Sequence, residues 1–374
     1  LGLLHALVFW GFCVIIVGSI EMVIDGIAGT ERVLGILGIM YNIIFGSGDI
    51  FAFIIAIAII IFLIRRLFLH VKRFEGIEMK HENHVDANIA LSLILILMIT
   101  LLGMNTFYVE NSLRLGHQII GVYPVSQYFA GFLSGFSDTS VHFWHEFNWW
   151  AHILVIFFFA NYLPYSKHFH VYMSVPNVFL SRLEPLGYLP NMPHITKEVK
   201  LMLDPNATAD DAGDESTDKF GVADITDISW KNYFDSLACT QCGRCTAVCP
   251  ANITGKKLSP RKIIMDVRSR MKEVGDKLVK NKDFSDGKAL LRDWITEEEL
   301  WACTTCNACA QECPININHP TLIVDLRRYL VMEDAAAPGE LNAMFSNIEN
   351  NGAPWQFNQQ DRMLWAQEIY MNKK

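Results

Sequence analysis

The sequence predicts an all-α chain in two parts: four membrane-spanning helices in the first 175 residues, then a helical domain outside the bilayer that carries two runs of four cysteines. Three observations predict it. The chain has 374 residues and is 51% hydrophobic, with 24 phenylalanines, yet nearly all its long apolar runs end before about residue 165. Segments near 3–24, 49–69, 87–108 and 145–163 each hold about 20 residues with few or no charges, enough for a helix to cross a hydrocarbon core of roughly 30 Å. Helices buried in a soluble core would have to be apolar on every face four times within the same stretch, a demand that lipid removes. Eight of the nine cysteines follow residue 238, among sequence that reads as short capped helices.

Taken in order, the loops between the spans set an orientation. Arg65, Arg66, Lys72, Arg73 and Lys80 lie between the second and third spans, and Lys167 follows the fourth, so these ends are expected in the cytoplasm. The loop of residues 25–48 has only Arg32 and the loop of residues 109–144 only Arg114, which fits an outward placement. Residues 115–136 contain Gly116, Gly121, Pro124, Gly131 and Gly135 and read as an outer-surface or partly embedded segment. Four crossings return the chain to the cytoplasm of a bacterial or archaeal cell. Residue 1 is Leu and His5 stands almost at the start of the first span, so the chain is expected to continue upstream; no signal peptide is evident.

Residues 176–229 read as a linker. Within it residues 204–218 carry six acids and no base, a solvated loop that holds much of the net charge of −8. No basic stripe with interleaved aromatics occurs, so nucleic acid is not an expected partner. From 230 to 350 the pattern is helical. Ser259 precedes Pro260 at a first helical position, Ile263, Ile264, Val267 and Met271 share one face, and Thr296 with Glu299 forms a capping-box pair. Residues 351–374 form a C-terminal segment expected to dock a partner.

The cysteines carry the strongest chemical signal. Cys239, Cys242, Cys245 and Cys249 before Pro250 spell C-x2-C-x2-C-x3-C-P, and Cys303, Cys306, Cys309 and Cys313 before Pro314 repeat it. In such paired runs the first three thiolates hold one [4Fe-4S] cluster and the fourth reaches across to the other. Cys239, Cys242, Cys245 and Cys313 are therefore the expected ligands of the first cluster, and Cys303, Cys306, Cys309 and Cys249 of the second. A zinc ribbon would use two C-x2-C pairs and leave the remaining thiols idle. A disulfide framework needs an oxidising compartment and a chain too small to fold without staples. The ninth, Cys13, lies in an apolar stretch and reads as a packing residue.

Ten of twelve histidines fall in the membrane half, where polar groups are costly. His70, His81, His84 and His117 read as interfacial. His152 and His170 are 18 residues apart, five turns, so they share one stripe about 27 Å long if the helix runs on past Pro164. Two imidazoles from different helices fill both axial positions of haem iron, which suits electron transfer. His5, level with His170, gives one expected haem b pair. His152 is the candidate for a second haem, but Val14, Ile15 and Ile16 stand at its depth on the first helix.

At these residues the chain resembles the cytochrome b gamma subunit of respiratory nitrate reductase. The final helix of that family has a histidine, 17 residues containing Pro-aromatic-Ser-basic, then a histidine, seen here as His152, Pro164-Tyr165-Ser166-Lys167 and His170. The resemblance covers about residues 1–175 and implies a match to the last four family helices. It also implies a second haem histidine where Ile15 stands, which leaves His142, His145 or His117 as substitutes. Residues 230–370 resemble the helical ferredoxin domain of heterodisulfide reductase and anaerobic glycerol-3-phosphate dehydrogenase iron-sulfur subunits. Eight cysteines and two prolines match, and Pro354-Trp355 with Asp361, Arg362 and Trp365 is similar to the segment leading into their CCG domains. A separate CCG-domain iron-sulfur or flavoprotein dehydrogenase subunit is the partner this implies.

The expected function is an electron-transfer subunit of a membrane-bound, quinone-linked oxidoreductase. Electrons would pass between a cytoplasmic partner and quinone through the clusters and haem b, with no covalent chemistry on side chains. Two rivals are a haem-free anchor that tethers a ferredoxin domain in an ion-pumping complex, and a transporter with a regulatory iron-sulfur domain. The latter calls for paired charges at mid-membrane depth, and none is evident in helices two to four.

Overall fold

The computed structural model of the chain describes residues 2–204, 206 and 219–371. Among these it is helical, with no strand and one isolated bridge between Leu291 and Ile295. All but two residues of the acidic loop 204–218 lie outside the described residues. The chain divides into two compact units, one of Leu1–Pro176 with Leu237–Gly243, the other of Asn177–Ser236 with Arg244–Lys374.

The first unit contains α1 (Gly2–Ala28), α2 (Ile39–Leu67), α3 (His81–Leu115), the short α4 (Pro124–Ala130) and α5 (Asp138–Tyr162). α2 packs against both α1 and α3, and α3 against α5. Ala52, Ile55 and Ile59 of α2 meet Leu97 and Met98 of α3 in the core, while Ile57, Ile61, Ile99 and Phe158 stay exposed on outward faces, as lipid permits. Three helices, α1, α2 and α3, are long and apolar enough to cross a membrane. The fourth expected span, α5, forms as a helix of 25 residues, but its first half carries His142, His145, Glu146 and Asn148 and is too polar to join them. Its fit to α3 needs a small residue: a Cβ on Gly103 would stand 2.6 Å from Asn148 Oδ1.

Two expectations about this unit change. The second helix begins at Ile39 instead of 49, because Gly46 and Gly48 are absorbed into it, Gly46 lying against Val122. Asp49 consequently sits inside a helix, buried, where its carboxylate accepts from the backbone N–H groups of Val125 (2.8 Å) and Ser126 (3.0 Å) at the start of α4. In the segment 115–136, Ser126 and Ala130 are buried against the rest of this unit.

The helix carrying His152 does not continue to His170. α5 ends at Tyr162, and 3-10 turns at Leu163–Tyr165 and Lys167–Phe169 flank an extended Ser166 before α6 (His170–Phe179) begins. The cause is visible in the hydrogen bonding. Pro164 has no N–H to extend the ladder, and Asp86 of α3 accepts from Tyr162 Oη (2.5 Å) and from the backbone N–H of Lys167 (2.9 Å), pinning both sides of the break. The five-turn stripe therefore does not exist.

The second unit adds α7 (Pro193–Leu203), α8 (Trp230–Ala238), α9 (Arg244–Ala247), α10 (Pro250–Ile253), α11 (Pro260–Lys280), α12 (Leu290–Asp293, interrupted at Arg292 by φ 75°), α13 (Glu297–Trp301), α14 (Ala308–Gln311), α15 (His319–Met332), α16 (Gly339–Asn351) and α17 (Leu364–Met371). Ser259 caps α11 by accepting from Lys262 N, and Thr296 with Glu299 closes a reciprocal capping box on α13. Ile263, Ile264 and Val267 of α11 and Leu322, Ile323, Leu326 and Leu330 of α15 are buried, each such side chain contributing about 1.5–3 kcal/mol.

Candidate functional site

The two cysteine runs fold alike. Gln241 (φ 58°) and Thr305 (φ 52°) occupy the third position of their runs, and Gly243 (φ 74°) and Asn307 (φ 60°) the fifth, all four in the left-handed region. Glycine adopts that region freely and Asn tolerates it, but a β-branched threonine there is strained. The left-handed residues reverse the backbone between successive cysteines of each run. In the second run the turn also aims backbone at sulfur: Thr305 N–H donates to Cys303 Sγ at 3.4 Å.

Cys249, Cys303, Cys306 and Cys309 line one small cavity, closed by Pro250, Leu258, Pro260, Pro320 and Ile323. Burial, with the neighbouring Cys303 and Cys249 thiols, pushes the Cys309 thiol up to about 12, and burial likewise raises Cys249. Without a metal these groups stay protonated; four soft thiols in a dry, proline-walled pocket suit iron-sulfur ligation, in which the iron holds them as thiolates. Among the described residues no three His, Cys, Asp or Glu side chains converge as a single ion would require, so the thiols ring a space rather than close on a point. Arg327 of α15 braces the run, donating through Nε to the Leu300 carbonyl and through Nη2 to the Leu300 and Cys303 carbonyls, with its guanidinium over the Trp301 ring. Of the other expected set, Cys239 and Cys242 belong to the first unit and Cys245 and Cys313 to the second.

In the first unit, His5 and His170 come together. Their ring centroids are 6.5 Å apart with planes inclined by 32°. Two metal–imidazole bonds of about 2 Å, plus the distance from each nitrogen to its ring centre, give roughly 6 Å, so the gap fits one iron held from both sides. His170 Nδ1 lies 3.2 Å from the Lys167 carbonyl, which can only accept. The proton is thereby placed on Nδ1. Lys167 sits in the break after α5, and its ammonium donates to the Asn83 carbonyl and to Gln241 Oε1 (3.4 Å), while Gln241 Nε2 donates to Asn83 Oδ1 (3.4 Å). One residue thus touches a histidine of the pair and the first cysteine run. His168, to which the sequence assigned no role, packs edge-on against His170 with centroids 5.0 Å apart.

His152 is elsewhere. It is buried, its Nδ1 is 2.9 Å from Thr100 Oγ1, and it lines a cavity of about 330 Å³ between α1, α2, α3 and α5. On α1 that cavity meets Val14 and Ile15 and no histidine. His117 and His142 are exposed and do not line it. His145 does, but it lies seven residues away on the same helix, about 10.5 Å along the axis, too far to take the opposite face of one iron.

Residues 238–317 match the family model described as a 4Fe-4S dicluster domain. The chain carries a dicluster ferredoxin domain. Around it, the whole chain is similar to longer proteins. It is 30% identical over 400 residues to the "probable iron-sulfur-binding oxidoreductase FadF" of Bacillus subtilis, covering 98% of this chain and 52% of the relative. It is 27% identical over 402 residues to the EtfAB:quinone oxidoreductase of Syntrophomonas wolfei, covering 98% and 51%. Over 105 residues it is 37% identical to one subunit of the ferredoxin/F(420)H(2)-dependent CoB-CoM heterodisulfide reductase of Methanosarcina acetivorans, covering 28% and 52%. The chain spans about half the length of the first two of these curated relatives. No solved structure matched. The dicluster ferredoxin chain is therefore a membrane-associated iron-sulfur protein homologous to oxidoreductases of this kind.

Proposed function

We propose that the chain carries electrons between a redox partner at the cytoplasmic face and the quinone pool, through two [4Fe-4S] clusters and haem b. The partner end is a flavoprotein of the EtfAB kind or a CCG-domain iron-sulfur protein, and the name of the Syntrophomonas wolfei relative, which pairs EtfAB with quinone, supports both ends. When bound, the clusters and haem supply one-electron chemistry in which no covalent bond to a side chain forms. Cys249, Cys303, Cys306 and Cys309 would hold one cluster, Cys239, Cys242, Cys245 and Cys313 the other, and His5 with His170 the haem. The Lys167 carbonyl fixes the His170 tautomer, and the Lys167 ammonium keeps the first cysteine run beside that pair. Basic residues Arg65, Arg66, Lys72 and Arg73 at the same end of the unit support its placement in the cytoplasm.

The observation that carries the reading is the 6.5 Å approach of the His5 and His170 rings. The test is a pyridine-haemochrome assay and a dithionite-reduced spectrum of the purified full chain. Haem b is expected in the wild type and lost in His5→Ala and His170→Ala, with the iron-sulfur electron paramagnetic resonance signals retained. A wild type that purifies with both clusters and no haem would instead establish the haem-free anchor.

A further inference from the structure

We infer that the cavity between α1, α2, α3 and α5 binds a quinone head group, clamped at its two oxygens by His145 and His152. This rests on the quinone-linked reading above and assigns its site. The cavity measures about 330 Å³, at the small end of the roughly 300–1,000 Å³ range of ligand pockets. Its charge decides the ligand class. Glu21, Asp25, Glu31, Asp49 and Glu146 line it against one base, Arg32. An anionic ligand is therefore repelled, and a haem there would bring two carboxylates into the same field. Three of these acids are already committed: Glu21 accepts from Leu34 N (2.9 Å) and Tyr41 Oη (3.1 Å), Asp25 from the Arg32 and Val33 amides (2.7 and 3.1 Å), and Asp49 from the α4 amides. A ligand neutral in both redox states, with a flat ring to lie beside Phe45, Trp149 and Trp150, meets these walls.

The histidines supply the register. Each has its Nδ1 engaged, His145 with Glu146 Oε1 (3.3 Å) and His152 with Thr100 Oγ1 (2.9 Å), so Nε2 is the atom each has left for a ligand. Thr100 Oγ1 donates to the Ile96 carbonyl, so it accepts from His152 Nδ1–H and the ring is the tautomer with a bare Nε2. Seven residues of helix separate the two by about 10.5 Å. Oxygens about 5 Å apart across a quinone ring, each with a hydrogen bond of about 2.8 Å, span roughly 11 Å. The haem pair lies nine residues along α1 from Val14, about 14 Å of rise away. The ring clamped this way is the hydroquinone, whose two hydroxyls donate to the bare Nε2 atoms. On oxidation each hydroxyl passes its proton to the imidazole facing it as the ring loses two electrons, one at a time. On reduction two electrons arrive from the reduced flavoprotein or iron-sulfur donor while the two imidazoliums so formed return the protons.

The full chain in lipid nanodiscs tests this with a short-chain naphthoquinone and a short-chain benzoquinone as probes. Haem content per chain, probe affinity and labelling by an azido-naphthoquinone are measured for the wild type, His152→Phe, His145→Phe and the cavity-filling Ile15→Trp. One haem per chain is expected in all four, with probe affinity at least tenfold weaker in the three variants and wild-type label confined to peptides of α1, α2, α3 and α5 that line the cavity. Two haems in the wild type with one lost in His152→Phe would give the cavity to haem and overturn the inference. So would wild-type affinity in all three variants, which leaves the quinone reading standing and moves its site. Failure of the wild type to bind either probe would remove the quinone reading itself.

Discussion

Thr305 and Gly243 make opposite predictions from one geometric fact. Both sit in the left-handed region, at φ 52° and 74°. A residue with a Cβ forfeits about 1–2 kcal/mol there, while glycine adds about 0.5–1 kcal/mol of unfolded-state entropy relative to alanine. Thr305→Gly should therefore stabilise the second cysteine run by about 0.5–1 kcal/mol, since the Thr305 side chain makes one exposed bond, to the Thr304 carbonyl. Gly243→Ala should destabilise the first run by about 1 kcal/mol. Cluster-bearing membrane proteins unfold irreversibly, so the readout is a rate. Bleaching of the iron-sulfur absorbance by a chelator at fixed temperature should slow by up to about fivefold in Thr305→Gly and quicken about fivefold in Gly243→Ala, at 1.4 kcal/mol per decade. If both variants quicken bleaching, the side chain at 305 matters for itself and the strain argument is wrong. If neither moves it, the runs open by a route that leaves these turns intact.

Further predictions rest on other parts of the chain. Arg270, almost fully buried, binds Asp224, Asp286 and the Lys288 carbonyl at 2.7–3.1 Å, so Arg270→Met should cost about 3–5 kcal/mol, seen as a lowered apparent melting temperature of the second unit with intact α1–α3. Burial pushes the buried His319 imidazole down to about 4. Its folded pKa lies below the unfolded value near 6.5, so stability is full above that value and falls as pH drops towards 4, by about 3 kcal/mol in all. The stability gap between wild type and His319→Gln should shift by about 2 kcal/mol between pH 7 and pH 5, against the wild type; a constant gap would show that His319 does not titrate on unfolding. Lys167→Met removes a charged donor from Gln241 and Asn83, worth about 1.5–3 kcal/mol. Hydrogen exchange at residues 240–243 should rise about tenfold or more, and an unchanged rate would mean that the first run holds its place without Lys167.

Much of the second unit was legible because its signals are local. Ser259, Thr296 and Glu299 cap the helices their spacing implied, and the face of Ile263, Ile264 and Val267 is buried as its period required. The grouping of Cys249 with Cys303, Cys306 and Cys309 follows from the way paired runs share ligands. What failed was continuity over distance. Gly46 and Gly48 looked like loop residues, and only their packing, Gly46 against Val122 and Gly48 against Val14, shows where the helix uses them. Pro164 was visible as a bend, but the break is fixed by Asp86, 78 residues earlier in sequence, which no local pattern could pair with Lys167. The stripe from His152 to His170 therefore failed, while the rings of His5 and His170 still approach each other, since their approach depends on which end of the unit each residue reaches and not on the path between.

Ionisable groups inside apolar helices are easily undervalued in a sequence, and their arrangement here separates the rival functions. A transporter needs charges that can exchange a cargo ion across the bilayer, which requires carboxylates free to rearrange. Asp49 and Glu21 are held instead by backbone amides and a tyrosine hydroxyl, and Arg32 is wedged between Tyr108, Tyr41 and Tyr123, bonded to both of the latter and 3.7 Å from the Tyr108 ring centre. Groups so fully committed shape a cavity and set its field without moving. The side chains there with a ring nitrogen to spare are His145 and His152, on one face of one helix. In the quinone reading proposed above, a fixed acidic wall beside two imidazoles would hold a neutral molecule whose protons the imidazoles accept.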